Sequence, residues 1–437
     1  LILYTPNITP RLHYIVDFVG KELQLDKLRI TSSSLEFSNY TGPKINYTGN
    51  RISEREIWIR PHGLLFETGI KEQHTECFEV NGYKAFFKTG GDFPFDIFSA
   101  SFYLLSRYEE YLPHTKDMYG RYAYNNSIAS KESFLHLPLV NIWLKDLKTL
   151  LNQRFPGLVL STQYSPLKIL PTYDIDIAWS YKHKGWWRNT GGLFRSLLKG
   201  QWSMVKERWR VVSGKQQDPF DAYEWMNRLH KQYGLKPHYF FLVPEKRGRY
   251  DKNISPASKA MRELIRDHAA RYATGIHPSW RSGDDRSLLK KEIETLTILT
   301  ERNVVSSRQH YIRFSLPEGY RRLIDAGIRY DYSMGYGSIN GFRASVASAF
   351  YWYDLENEKQ TELMLFPFCY MEANSFYEQK MSAPQALDEL RQLYKTVRSV
   401  NGLFIMIWHN SFLGTDKLYT GWRDIYEQFI KETGARP

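Results

Sequence analysis

Apolar residues in the first part of the chain mostly recur at helical spacing. Leu12, Ile15, Val16 and Val19 predict a helix over Arg11 to Gly20, and Leu1 to Tyr4 ahead of it read as a short strand. Ser38 to Asn50 alternates around turn residues and predicts a hairpin. The tetrapeptide Asn-Tyr-Thr-Gly occurs twice there, so Asn39 and Asn46 match glycosylation acceptors as well as ordinary turn chemistry. Phe98, Phe102, Leu105 and Tyr108 share one face and predict a helix over Phe95 to Leu112. Residues 1–165 carry no catalytic constellation and read as a smaller accessory α/β domain of unassigned role.

From residue 166 the pattern alternates between short apolar runs and amphipathic stretches. The run from Leu167 to Leu170 leads into Pro171 to Ser180, PTYDIDIAWS, where Asp174 and Asp176 stand at the end of an expected strand. Residues two apart on a strand point to the same side, so the two carboxylates share a rim. A cation between them would relieve their repulsion, and a solvated acidic turn is the plain alternative. The following pattern predicts helix Asp218–Gly234 and strand His238–Pro244, helix Pro256–Arg271 and strand Ala273–Ile276, helix Asp284–Glu301 and strand Asn303–Ser307. Helix Pro317–Ala326, strand Ile328–Tyr330, strand Leu363–Phe368, helix Pro384–Val400, strand Leu403–Trp408 and helix Gly421–Glu432 complete it. Alternation over about seven strands predicts an α/β barrel over 166–437.

Polar residues fall where those strands end. Asp174 and Asp176 are joined by His277, Arg308, His310, Asp331, Glu372 and His409. Each alone has a structural explanation, but parallel strands in a barrel bring their C-terminal ends to one face, where such sites form.

Composition narrows the chemistry. The chain has 437 residues, 42% hydrophobic and 16% aromatic, enough for a large core and for rings to line a groove. Cys77 and Cys369 are the only cysteines, which excludes a disulfide framework and a thiolate zinc cluster, so a metal would need imidazole and carboxylate ligands. No charged leader precedes an apolar core at the start, and no apolar run approaches a membrane span, which points to a cytoplasmic location, with peripheral membrane contact as an extension. The net charge of +12 is local: Tyr181 to Lys215 holds nine Lys or Arg against the single acid Glu207. Confinement of the charge, and the lack of a recognised motif, argue against nucleic acid. From Phe194 the apolar positions Leu197, Leu198, Trp202, Val205, Trp209 and Val212 predict one basic amphipathic helix. It either docks its apolar face on the barrel or, across 181–215, meets an anionic membrane.

The ordered motifs Thr-x-Asp-x-Asp, Gly-Ile-His-Pro-Ser, Arg-Gln-His-Tyr, Asp-Tyr-Ser-Met-Gly, Gly-Phe-Arg-Ala and an apolar strand followed by His-Asn resemble the polysaccharide deacetylases of carbohydrate esterase family 4. The resemblance runs from about Leu167 to the C-terminus and implies a deformed (β/α) barrel. It implies a hydrolase that uses one divalent metal ion, zinc as the first expectation, to remove an acetyl group from an amino-sugar-containing glycan or glycolipid head group. By position, Asp174 would be the general base acting on metal-activated water, Asp176 and His277 metal ligands, Arg308 the partner of Asp174, and His409 the general acid. The family places its two metal histidines four residues apart, whereas Arg281 stands at that position here, so His310 from the next strand end is expected as the third ligand. Asp331 and Glu372 are expected behind these groups, Glu372 orienting His409. Arg343, Tyr332 and Trp408 are expected to contact substrate. The competing reading is a weak or inactive deacetylase-like barrel that binds glycan or serves as a scaffold.

Overall fold

Backbone pairing in the computed structural model, which describes residues 1–25, 28–158, 160 and 168–434, builds two principal sheets. In the first 160 residues, β1 (Ile2–Tyr4), β2 (Arg29–Thr31), β3 (Lys44–Asn46) and β4 (Ile57–Trp58) pair in parallel in the order β2-β1-β3-β4. A separate two-stranded hairpin joins β5 (Phe78–Val80) to β6 (Tyr83–Ala85). The helix expected at Arg11 spans Pro10–Glu22, with Thr9 accepting from Leu12 N at its start. The hairpin expected over 38–50 does not form. Its second half is β3, which pairs in parallel with β1, and its first residues finish the helix Ser34–Asn39. Asn46 is buried and its amide donates to Glu56 Oε1 and Asn50 O, so its side chain is structural. The helix expected to reach Leu112 stops at Leu105, because Arg107 turns left-handed (φ 55°) where it pairs with Glu109 and Glu110.

The second sheet has nine strands. In chain order these are β7 (Lys168–Ile175), β8 (His238–Leu242), β9 (Ala273–His277), β10 (Ser306–Ser307), β11 (Tyr330–Asp331), β12 (Phe350–Asp354), β13 (Lys359–Leu365), β14 (Tyr370–Met371) and β15 (Leu403–His409). They lie in the order β12-β13-β11-β10-β9-β8-β7-β15-β14, parallel throughout except for the β12–β13 hairpin. Seven match the expected strands; β12 and β14 are additional. The expected boundary at residues 165–166 falls outside the described residues.

Among the described residues no pairing closes β14 onto β12 or β13, so the fold is a mixed α/β sheet with a seam. The glycine-rich segment 332–349 fills that seam. Gly341 N donates to Cys369 O, Met371 N to Asn340 Oδ1, and Leu403 N to Ala347 O, so these backbone groups are satisfied without a further strand. The same segment is bonded to the first part of the chain, Phe342 N to Leu135 O and Val140 N to Ser345 O. The buried ion pair Glu110–Arg343 joins the same regions, the half-buried pair Arg11–Glu358 ties the first part to the β12–β13 turn, and one apolar core runs through both parts.

The basic segment after β7 is two helices, Trp186–Leu198 and Trp202–Val212, instead of one. Gly200 separates them with φ +65°, a conformation that breaks the helical run. No described helix is long and apolar enough to cross a membrane.

Candidate active site

Parallel strands deliver their last residues to one rim, and the strand-end side chains meet there. Asp174 is buried within β7, one pair before its end. Arg308, just past β10, donates through Nη1 to Asp174 Oδ1 at 3.0 Å and to Thr172 Oγ1 at 2.7 Å, and through Nε to Tyr332 O at 3.1 Å. Its guanidinium lies 4.5 Å from the Phe240 ring centre. Burial lowers the Arg308 pKa and Asp174 opposes that shift, leaving the pair an ionic contact in a closed setting. Gly275 in β9 permits this packing: a Cβ there would stand 2.7 Å from the Phe240 ring and 2.8 Å from Ser306 O.

Asp176 lies one strand period beyond Asp174, and three imidazoles face it. His277 Nε2 is 3.1 Å from its Oδ1; His310 Nε2 and His409 Nε2 are 3.3 and 3.4 Å from its Oδ2. Each imidazole is fixed from behind. His277 Nδ1 donates to Arg308 O at 2.6 Å, which aims its Nε2 at Asp176. His310 Nδ1 is 3.0 Å from Asp251 Oδ1, and His409 Nδ1 is 2.6 Å from Glu372 Oε1. Burial works against charge on Asp176, but His310, His277 and His409 outweigh it and hold the carboxyl well below its usual range. Burial likewise opposes charge on His310 and His409. Asp176 and Asp251 nevertheless lift His310 to about 9, and Glu372 and Asp176 lift His409 well above 6.5.

These residues suit a divalent cation. One ligand atom each from Asp176, His277 and His310 lies within 4.8 Å of the others. Asp176 Oδ1 is buried and accepts no hydrogen bond. Two imidazoles and one carboxylate, each imidazole held through its other nitrogen, are a donor set for zinc or a similar borderline ion. Arg281 is exposed and lines a separate polar depression with Lys246 and Lys291.

A cavity of about 560 Å³ opens over this cluster and is lined by Asp174, Asp176, His277, His310 and His409. Three residues expected to contact substrate lie away from the cavity surface. Arg343 is buried and paired with Glu110, Nε to Oε1 at 2.8 Å, because a desolvated guanidinium needs a carboxylate. Tyr332 packs against Phe240 and Phe366, and Trp408 against Tyr426 and Tyr370, as core residues. None of the three lines the cavity. Asp331 is buried one layer back, accepting from Ser307 Oγ and Ser333 N.

Several groups in or behind the cavity lining carry no sequence signal. Asp251 belongs to the loop after β8 and also accepts from Trp280 N. Tyr377, Phe412 and Tyr419 come from loops beside β14 and β15, and Met118, Tyr119 and Arg121 come from the first part of the chain. Arg121 Nη1 donates to Tyr311 O at 2.8 Å and to Gly337 O at 3.0 Å. Tyr311 is left-handed (φ 59°), an uncommon conformation for a tyrosine, and this clamp holds it directly beside His310.

Residues 1–156 match a family model described as a family of unknown function, DUF7033. No curated protein matches the chain. Solved structures similar to it include a putative polysaccharide deacetylase from Mycobacterium smegmatis, at 12% identity and TM-score 0.41, covering 63% of this chain and 87% of that one. PuuE allantoinase shows 11% identity and TM-score 0.40, with the same two coverages. A polysaccharide deacetylase from Bacillus cereus shows 13% identity and TM-score 0.29, covering 49% of this chain and 82% of its own. At such overlap these likenesses carry no argument about activity.

Proposed function

We propose that this chain is a metal-dependent hydrolase that removes an acetyl group from an amino-sugar-containing glycan or glycolipid head group. The observation that carries the reading is the meeting of Asp176, His277 and His310 at one point, beside Asp174 held by Arg308 and His409 backed by Glu372. Asp176, His277 and His310 would hold the ion, with zinc the best match to the donor set. When bound, such an ion supplies Lewis acidity that polarises an acyl carbonyl and acidifies water.

The remaining steps belong to the side chains. Arg308 holds and aims Asp174, so that Asp174 accepts a proton from the attacking water. A cationic His409, at the strand position paired with Asp174, gives a proton to the departing nitrogen or oxygen, and Glu372 steadies that charge through Nδ1. Tyr119, Tyr311, Tyr377 and Phe412 give the cavity flat apolar walls suited to sugar faces.

The test is acetate release from N-acetylglucosamine oligomers and from acetylated xylan, before and after the protein is stripped with a chelator and reloaded with zinc. Release that disappears on stripping and returns on reloading supports the reading. Stoichiometric metal without release from either class would favour a glycan-binding barrel that does not turn over.

A further inference from the structure

Water-soluble helix pairs bury their large apolar residues against each other or against the body of the protein. The hairpin formed by Trp186–Leu198 and Trp202–Val212 does the reverse. Trp186, Trp187, Phe194, Leu198, Trp202 and Trp209 are exposed, Trp187 by 73% and Leu198 by 79%, whereas other exposed large apolar residues are scattered along the chain. Leu193, Leu197 and Val205 are half-buried and Val211 buried, and a polar contact also joins the two helices. Arg208 Nη1 lies 3.4 Å from Asn189 Oδ1 and passes where a Cβ on Gly192 would stand, and its guanidinium sits 4.7 Å from the Tyr181 ring centre. Tyr181 in turn donates to Glu207, the single acid of the segment.

The base of the hairpin is fixed to the cavity. Asp218 accepts from the backbone N–H groups of Ser180, Tyr181 and Lys182 at 2.7–2.8 Å. Asn410, which lines the cavity, donates to Ala178 O and Phe220 O, one on each side of the insertion. The hairpin therefore stands on the rim from which the cavity opens.

Nine Lys or Arg against one acid accompany the exposed rings. Rings that favour the boundary between head groups and acyl chains, interleaved with cations that favour phosphate, complement an anionic bilayer. A protein surface would cover the rings only if it also carried a strong excess of acids.

We propose that this hairpin docks on a bilayer containing anionic phospholipid, seating Trp187, Phe194, Leu198 and Trp202 in the interface and holding the cavity mouth at the membrane surface. This docking does not depend on the hydrolase reading. The test is co-sedimentation of the full chain with phosphatidylcholine vesicles, with and without phosphatidylglycerol. Expected is binding to the anionic vesicles that weakens in high salt. The substitutions Trp187→Ser, Phe194→Ser and Trp202→Ser together, or Lys199→Gln, Lys206→Gln and Arg210→Gln together, should weaken it at least about tenfold. Circular dichroism and metal content should stay unchanged in both variants. As a measurement on the unaltered chain, tryptophan emission should shift to the blue when anionic vesicles are added. Absence of sedimentation and of the shift at low salt would overturn the proposal, as would binding that both triple variants retain. Self-association abolished by the apolar triple, without vesicle binding, would assign the face to a second copy instead.

Discussion

Metal affinity should climb with pH, and His310 sets the size of the effect. Its imidazole is buried, which opposes charge, yet Asp176 and Asp251 raise it to about 9 in the metal-free protein. Nε2, 3.3 Å from Asp176 Oδ2, must lose its proton before its lone pair can bind a cation. Because the folded pKa is raised, the proton is retained at neutral pH, and each unit of acidity below about 9 weakens binding about tenfold for this one proton. Between pH 9 and 7 the loss is about 100-fold, or about 2.7 kcal/mol. His409 acts in the same direction, since its cation competes for Asp176 from 3.4 Å. Competition against a chromophoric chelator at a series of pH values gives the curve. In Asp251→Asn the amide oxygen can still accept from Nδ1 but carries no charge. The rise should then begin at lower pH, and the limiting affinity should fall about 10–100-fold, as when a ligand's supporting partner is removed. A flat affinity between pH 7 and 9, unaltered by Asp251→Asn, would show that His310 is not a ligand.

Asp174→Asn should retain metal and fold while acetate release falls by about 100-fold or more, as loss of a general base requires; wild-type turnover would send the search to another carboxylate. Arg343→Met should cost about 1.5–3 kcal/mol in urea denaturation, because it removes one of the two guanidinium partners, Arg343 and Arg107, that hold the carboxyl of buried Glu110 at about 2 against burial. A change in KM with an unchanged denaturation midpoint would instead restore Arg343 to the substrate. Burial pushes His230 and His238 down to about 3 and His268 to about 4, with His268 also acting on His230 and Arg308 on His238. With folded values below the unfolded value near 6.5, stability is complete above that pH and declines as pH falls, by about 2 kcal/mol per imidazole at pH 5. Equal denaturation midpoints at pH 7 and 5 would contradict it.

Much of the second sheet was legible because buried parallel strands leave short apolar runs between helical periods, and the residue after each run must reach the rim. That logic located His277, Arg308, His310 and His409. It failed where tertiary contacts, and not periodicity, decide. Arg343 sits in a polar, glycine-rich stretch that reads as surface, but Glu110, far upstream, draws it into the core. Tyr119 enters the cavity, and Asp251 backs His310, from loops whose paths depend on the whole fold. The deformed barrel was expected from strand alternation and from the family resemblance, and the segment 332–349, which has no strand period, occupies the seam. Helical spacing continued across Gly200, and only its positive φ separates the two basic helices. The outward direction of their apolar faces was open in the sequence, since spacing defines a face without saying what covers it.

The central claim is that Asp176, His277 and His310 bind one divalent cation. Anomalous scattering from zinc-loaded crystals tests it directly. The account predicts one strong peak about 2.0–2.2 Å from a carboxylate oxygen of Asp176 and from Nε2 of both His277 and His310, with Arg281 remote from it. A peak elsewhere, or coordination that leaves out His310, would contradict it.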